Sequence, residues 1–190
     1  NFQERNNTDY LKYEGSTDPI YNGSLGNVFS YKGFHLNVFL TYAFGNVVRL
    51  DPVFSAKYND LTSMTHSFVN RWMQPGDESI TNVPGIVSKY EYEKNSTLLS
   101  TAYNAYNYTS VRTAKGDFIR MKEISLAYDF PRQWFEGSAV NNISLKIQAT
   151  NLFLIYADKK LNGQDPEFMN SGGVASPMPK QFTLTLKLGL

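Results

Sequence analysis

The chain has 190 residues, with 18 Lys and Arg against 17 Asp and Glu, a formal charge of +1. It is 42% hydrophobic, 15% aromatic and 18% charged. That balance excludes a disordered tail, which needs high net charge and few aromatics, and leaves no basic excess for a nucleic-acid backbone. Cysteine is absent, which removes disulfide scaffolds, thiolate nucleophiles and Cys-ligated metals.

No run of about 18 apolar residues occurs, so no helix is long and apolar enough to cross a membrane. The first residues, Asn1 to Arg5, hold neither an initiator Met nor an apolar signal core. The sequence is therefore expected to be processed or to be a piece of a longer chain. Residues 20–31 alternate weakly through Tyr21, Leu25, Phe29 and Tyr31. After a tight turn at Lys32-Gly33, residues 34–45 place Phe34, Leu36, Val38, Leu40, Tyr42 and Phe44 on one face. His35, Asn37, Phe39, Thr41 and Ala43 fall on the other. Period two of this kind predicts a strand with one apolar and one polar side.

A long segment follows, Gly45 to Gly116. Within it Leu61, Met64, Phe68 and Trp72 recur at three and four residues, which predicts a short amphipathic helix from Asp60 to Trp72, capped by Asp60 and ended by Pro75-Gly76. Downstream, Tyr90, Tyr92, Tyr103, Tyr106 and Tyr108 interleave with Asn104, Asn107 and Ser110. Tyrosine with asparagine suits stacking and hydrogen bonding to sugars or peptides; a long ordered loop also needs a small core of its own. The candidate contacts for a substrate or a covering partner are Trp72, Tyr90, Tyr103, Tyr106 and Tyr108.

Alternation resumes over 118–130, with Ile124, Leu126, Tyr128 and Phe130 opposite Ser125, Ala127 and Asp129. It continues over 142–154, with Ile143, Leu145, Ile147 and Ala149 on one side, and closes over 181–190, where every even residue is apolar. The links between strands run short, long, short, long. That pattern, with strands of roughly ten residues, predicts a transmembrane antiparallel β-barrel segment with tight turns on one side of the membrane and long loops on the other. With the C-terminus in the periplasm, both short turns fall inside. Tyr31, Phe34, Tyr42, Phe44, Tyr128 and Phe130 stand near strand ends, where an aromatic girdle meets the headgroups. The polar faces, Lys146 and Lys187 among them, then point to the lumen, because a Lys at the bilayer midplane costs about 2–4 kcal/mol. The alternative is a soluble β-sandwich that binds carbohydrate or protein, whose strands also alternate but are shorter and joined by shorter loops. Five strands leave two bare edges, and a barrel must close, so a C-terminal fragment or one half of a nicked transporter is expected.

Catalytic signals are weak. Asp165-Pro166-Glu167 offers two carboxylates, but residues two apart in a Pro-containing turn rarely bracket a glycosidic bond, and neither position reads as buried. His35 and His66, the two histidines, have no carboxylate at ligand spacing. No Gly-x-Ser-x-Gly elbow or phosphate-binding loop occurs. The expectation is no enzyme, no catalytic or metal residue and no cofactor.

Several separated pieces in order carry a resemblance: Tyr31-Lys32-Gly33-Phe34 with Leu36, then Phe44-Gly45; Arg71-Trp72, Pro75-Gly76-Asp77 and Val83-Pro84; the stretch from Gly116 through Phe118, Arg120, Met121 and Lys122 to Tyr128; Asn151-Leu152-Phe153; Asp165-Pro166-Glu167; and Pro179 before the closing strand. From about Asp18 to Leu190 the chain resembles the C-terminal part of the SusC/RagA class of TonB-dependent outer-membrane transporters of Bacteroidota. The resemblance implies the last five or so strands of a barrel of about 22, with a plug domain and TonB box outside this chain. It implies a SusD-like lipoprotein lid, TonB as energy coupler, and oligosaccharides or oligopeptides as substrates, with the outer-membrane lipid around the barrel and no nucleic acid. The final Leu190 departs from the aromatic that ends many such barrels, which bears on insertion efficiency and not on the fold.

Overall fold

A computed structural model describes residues 8–52, 66–169 and 177–190. Five long strands form one antiparallel sheet in the order β1-β2-β5-β6-β7. They are β1 (Tyr21–Tyr31), β2 (Phe34–Phe44), β5 (Phe118–Asp129), β6 (Asn142–Ala157) and β7 (Gln181–Gly189). Short strands β3 (Val47–Arg49) and β4 (Thr113–Lys115) pair as a separate two-stranded ribbon. The long strands stand where the alternation puts them; the largest difference is at β6, which runs three residues beyond the expected 154.

The β1–β2 turn has two residues, Lys32 at φ 46° and Gly33 at φ 84°. Two positive φ values give the primed hairpin turn whose twist matches the strands. A Cβ on Gly33 would fall 2.9 Å from the Asp129 carbonyl oxygen, so glycine is required there for space as well as for φ.

Register aligns the faces across all five strands. One row reads Tyr31, Phe34, Tyr128, Leu145, Leu186, and the next Phe29, Leu36, Leu126, Ile147, Leu184. Between them, on the opposite side, run Ser30, His35, Ala127, Lys146, Thr185. The apolar side lies open: Leu184 is 68% exposed and Phe182 74%. In water each such side chain forgoes about 1.5–3 kcal/mol of burial, whereas hydrocarbon satisfies it. A sandwich needs a second sheet over the apolar stripes; among the described residues the long strands form one sheet, with its apolar side open.

One feature of β5 departs from simple alternation. Phe39 of β2 faces Glu123, but its neighbour Leu40 faces Met121, so Lys122 is bulged out of the ladder. The bulge shifts the phase by one residue. Without it, Arg120 would share the apolar side with Ile124; with it, Ile119 and Met121 join the apolar side, and Arg120, opposite Thr41, joins the polar one.

Rings gather at both ends of the strands. Phe34 and Tyr128 lie 4.4 Å apart, Tyr128 and Phe130 5.0 Å, and Phe130 and Trp134 5.8 Å near the short turns. Tyr42 and Phe44 stack at 5.6 Å at the far end of β2.

The described chain divides into two compact units: Ser16–Val47 with Lys115–Leu190, which holds the long sheet, and Val48–Ala114 with the segment up to Gly15. The second unit contains the longest helix, α1 (Lys89–Asn107), with a kink at Asn95. The helix expected at 60–72 is described only in its last part. Its first part, with Asp60, Leu61 and Met64, lies outside the described residues, and His66–Asn70 is a single 3₁₀ turn. The tyrosine-rich stretch expected as loop is this helix, α1. Ser88 Oγ accepts from the Glu91 N–H at 3.2 Å and caps its start, and the half-buried positions Tyr92, Ser96, Leu99, Tyr103 and Tyr106 recur at four and three.

Candidate functional site

The loop unit separates the five candidate contact residues into two groups. Tyr103 and Tyr106 leave the inner stripe of α1 and pack, with Val83, on Phe68, which is buried. The Tyr103 hydroxyl donates to the Gly85 carbonyl at 2.7 Å, and burial raises its pKa above the usual tyrosine value. The Arg112 guanidinium lies 5.9 Å from the Tyr106 ring centroid and donates to the Asp51 carbonyl. These two tyrosines build the small core that an ordered loop needs.

Tyr90 and Tyr108 are exposed, and Trp72 is partly so. The Trp72 indole N–H donates to Glu78 at 3.1 Å. Glu78 is held below the usual carboxylate pKa by its own backbone N–H, by Trp72 and by the Gly76 N–H. Arg49 lies 5.3 Å from the Tyr108 ring centroid, and its Nη1 donates to the Asn107 carbonyl at 3.1 Å. The guanidinium thereby covers the open carbonyl end of α1. Tyr108, Asn104 and Thr101 line a cavity of about 930 Å³ with Arg49, Tyr10 and Lys12. An aromatic face beside amide, hydroxyl and cationic groups offers stacking and hydrogen bonds together.

The polar side of the sheet carries a separate set of polar and charged residues. Asn37 donates to Glu123 at 3.1 Å. His35 is brought beside a carboxylate that sequence spacing did not reveal: its Nε2 is 3.1 Å from Asp129 Oδ2, and its Nδ1 2.8 Å from Ser30 Oγ. Lys146 and Lys187 stand on this side too, opposite Thr185 and Ser144.

Arg120 and Asp165 form a buried ion pair, with the exposed Glu167 beside it. Arg120 Nη2 donates to both Asp165 oxygens at 2.5 Å and lies 3.2 Å from Glu167. The Arg120 and Asp165 side chains are 8% and 6% exposed. This corrects the reading of Asp165 as unburied, while Glu167, 49% exposed, is as the sequence suggests. The turn reading stands beside it, since Asp165 accepts from the Glu167 N–H at 3.2 Å and caps the 3₁₀ turn Pro166–Phe168. Among the described residues no three His, Asp or Glu side chains are grouped to hold a metal.

Comparison with known proteins places this geometry. No family model matches the chain. Over 159 residues, 82% of its length, it is 28% identical to a TonB-dependent receptor of Formosa agariphila. It spans 14% of that relative. In fold it is similar to the RagAB peptide importer in the open-open state, with a TM-score of 0.65 and 19% identity over 94% of this chain and 18% of that one. The closed-closed state gives 0.64 and 22% over 93% and 18%, and a third RagAB peptide transporter structure 0.63 and 21% over 94% and 18%. One open five-stranded sheet, apolar on one side and charged on the other, is what a section of such a wall should look like. The chain is thus similar in sequence to a TonB-dependent receptor, and its fold is similar to that of part of the RagAB peptide importer.

Proposed function

We propose that this chain is the C-terminal wall of an outer-membrane TonB-dependent importer, a barrel of about 22 strands closed by strands on both sides of β1 and β7. The carrying observation is the pairing of an open apolar side with a polar, charged side across five registered strands. Bare strand edges in hydrocarbon cost several kcal/mol per unsatisfied group, so the edges of β1 and β7 need partners. The C-terminus then faces the periplasm, and the long loops face outward. Lys146 and Lys187 face a plug domain, whose carboxylates they would meet. Tyr90, Tyr108 and Trp72, the exposed members of the loop set, face a SusD-like lipoprotein or the substrate.

The work of this assembly is transport, with TonB supplying the energy and oligopeptides or oligosaccharides as cargo. The RagAB structures are named for peptide import, which favours the peptide arm. The test is uptake of labelled oligopeptides and oligosaccharides by cells carrying the complete transporter, with and without TonB. TonB-dependent uptake of either class supports the reading, and its class names the cargo. Equal uptake of both with and without TonB would contradict it.

A further inference from the structure

The link from β6 to β7 joins neighbouring antiparallel strands, a task for which two residues suffice. Here it takes up residues 158–180, of which 158–169 and 177–180 are described. Its root is fastened by Asp158, whose Oδ2 accepts from the Lys115 N–H at 2.9 Å and whose Oδ1 accepts from the Lys160 N–H at 3.0 Å. Leu161 is fully buried, and Pro166 is buried. Asp165 then reaches Arg120 on β5. Pro166 and Glu167 go further: with Ser24 of β1 and Phe39 and Thr41 of β2 they line a cavity of about 580 Å³. Asp165, Pro166 and Glu167 therefore face the polar side of strands other than the two that the link joins.

We propose that residues 158–169 are a strap, latched by the Arg120–Asp165 ion pair, that covers the polar wall of β1 and β2 and opens as a unit when the latch breaks. The β-bulge at Lys122 serves this arrangement, because it puts Arg120 on the same side as Thr41 and so toward the strap. A buried pair of this kind holds the strap in two discrete states. The closed one satisfies both charges, and any half-open one strands a charge away from water. The inference rests on the reading of the polar side as the lumen of a transporter.

The chain has no native cysteine, so single thiols report on the strap. In the complete transporter, with any other cysteines removed, Thr41→Cys lies beneath the strap and Thr183→Cys, on the polar side of β7, lies away from it. Both are labelled with a bulky water-soluble maleimide, with and without Asp165→Asn, a change that keeps the cap acceptor and the strand sequence intact. The expected result is labelling at Thr41→Cys faster by about a hundredfold or more in Asp165→Asn, with Thr183→Cys unchanged. Arg120→Met should act in the same direction. An unchanged rate at Thr41→Cys in a folded Asp165→Asn barrel would overturn the strap, and so would an equal rise at both thiols, which marks general loosening. If the parent itself forms no heat-modifiable barrel in membranes, the transporter reading falls, and the strap with it.

Discussion

Leu184 and Thr183 are neighbours near the middle of β7, and they make opposite demands on their surroundings. Leu184 is 68% exposed on the apolar side opposite Ile147; Thr183 points the other way, opposite Gln148. If the apolar side meets hydrocarbon, Leu184→Arg places a guanidinium near the bilayer midplane at a cost of about 2–4 kcal/mol. At 1.36 kcal/mol per tenfold, that is a loss of roughly thirty- to nine-hundredfold in the folding equilibrium. Thr183→Arg adds the same charge one residue away, on a side already carrying Lys146 and Lys187, and should change stability by about 0.5 kcal/mol or less. The assay is the complete transporter folded into lipid vesicles and titrated with urea, with heat-modifiable gel mobility reporting the folded fraction. A soluble protein with an exposed Leu184 would tolerate both changes alike. Equal midpoints for the two variants would refute the assignment of faces.

Three further outcomes follow from local geometry. Ser88→Ala removes the cap of α1 and should cost about 1 kcal/mol, read as faster hydrogen exchange in its first turn with α1 otherwise intact. Gly33→Ala brings a methyl to 2.9 Å from the Asp129 carbonyl at φ 84°, and should lower the folded yield of the barrel, whereas Lys32→Asn, in a position that favours asparagine, should not. The raised pKa of Tyr103 means its contribution to loop-unit stability is complete below pH about 10, the unfolded value, and is lost as pH rises through the higher folded value. Tyr103→Phe should abolish that part of the alkaline loss while costing about 1 kcal/mol at neutral pH through the missing bond to Gly85, measured as the parent-minus-variant difference in thermal stability against pH.

The sheet was legible because its signal is local. Alternation over β2 and β7 is fixed by which side of the sheet each residue occupies, and one residue of slip would move Lys187 to the apolar side. The bulge at Lys122 was less visible. Its trace is a break of phase, with Ile119 and Met121 odd-numbered and Ile124 and Leu126 even-numbered, but a break alone does not say which residue is extruded. Asp165 was read as an exposed turn residue because its partner, Arg120, is 45 residues away in sequence, and no local pattern encodes that pairing. Helix α1 was missed because Tyr, Asn, Ser and Thr are weak helix formers. Its signals, Ser88 three residues before Glu91 and the four-three spacing from Tyr92 to Tyr106, were present but polar. Of the candidate contacts, sequence could supply the residue type, while packing on Phe68 separated Tyr103 and Tyr106 from the exposed Tyr90 and Tyr108.

The central claim is that one side of this sheet faces hydrocarbon and the other faces water. Single cysteines placed from Phe182 to Leu188 in the complete transporter, labelled with a fluorophore and challenged with lipid-borne and water-borne quenchers, test it most directly. The account predicts strict alternation: positions 182, 184, 186 and 188 quenched from the lipid, and 183, 185 and 187 from the water. Uniform quenching from the water, with no alternation along β7, would contradict it.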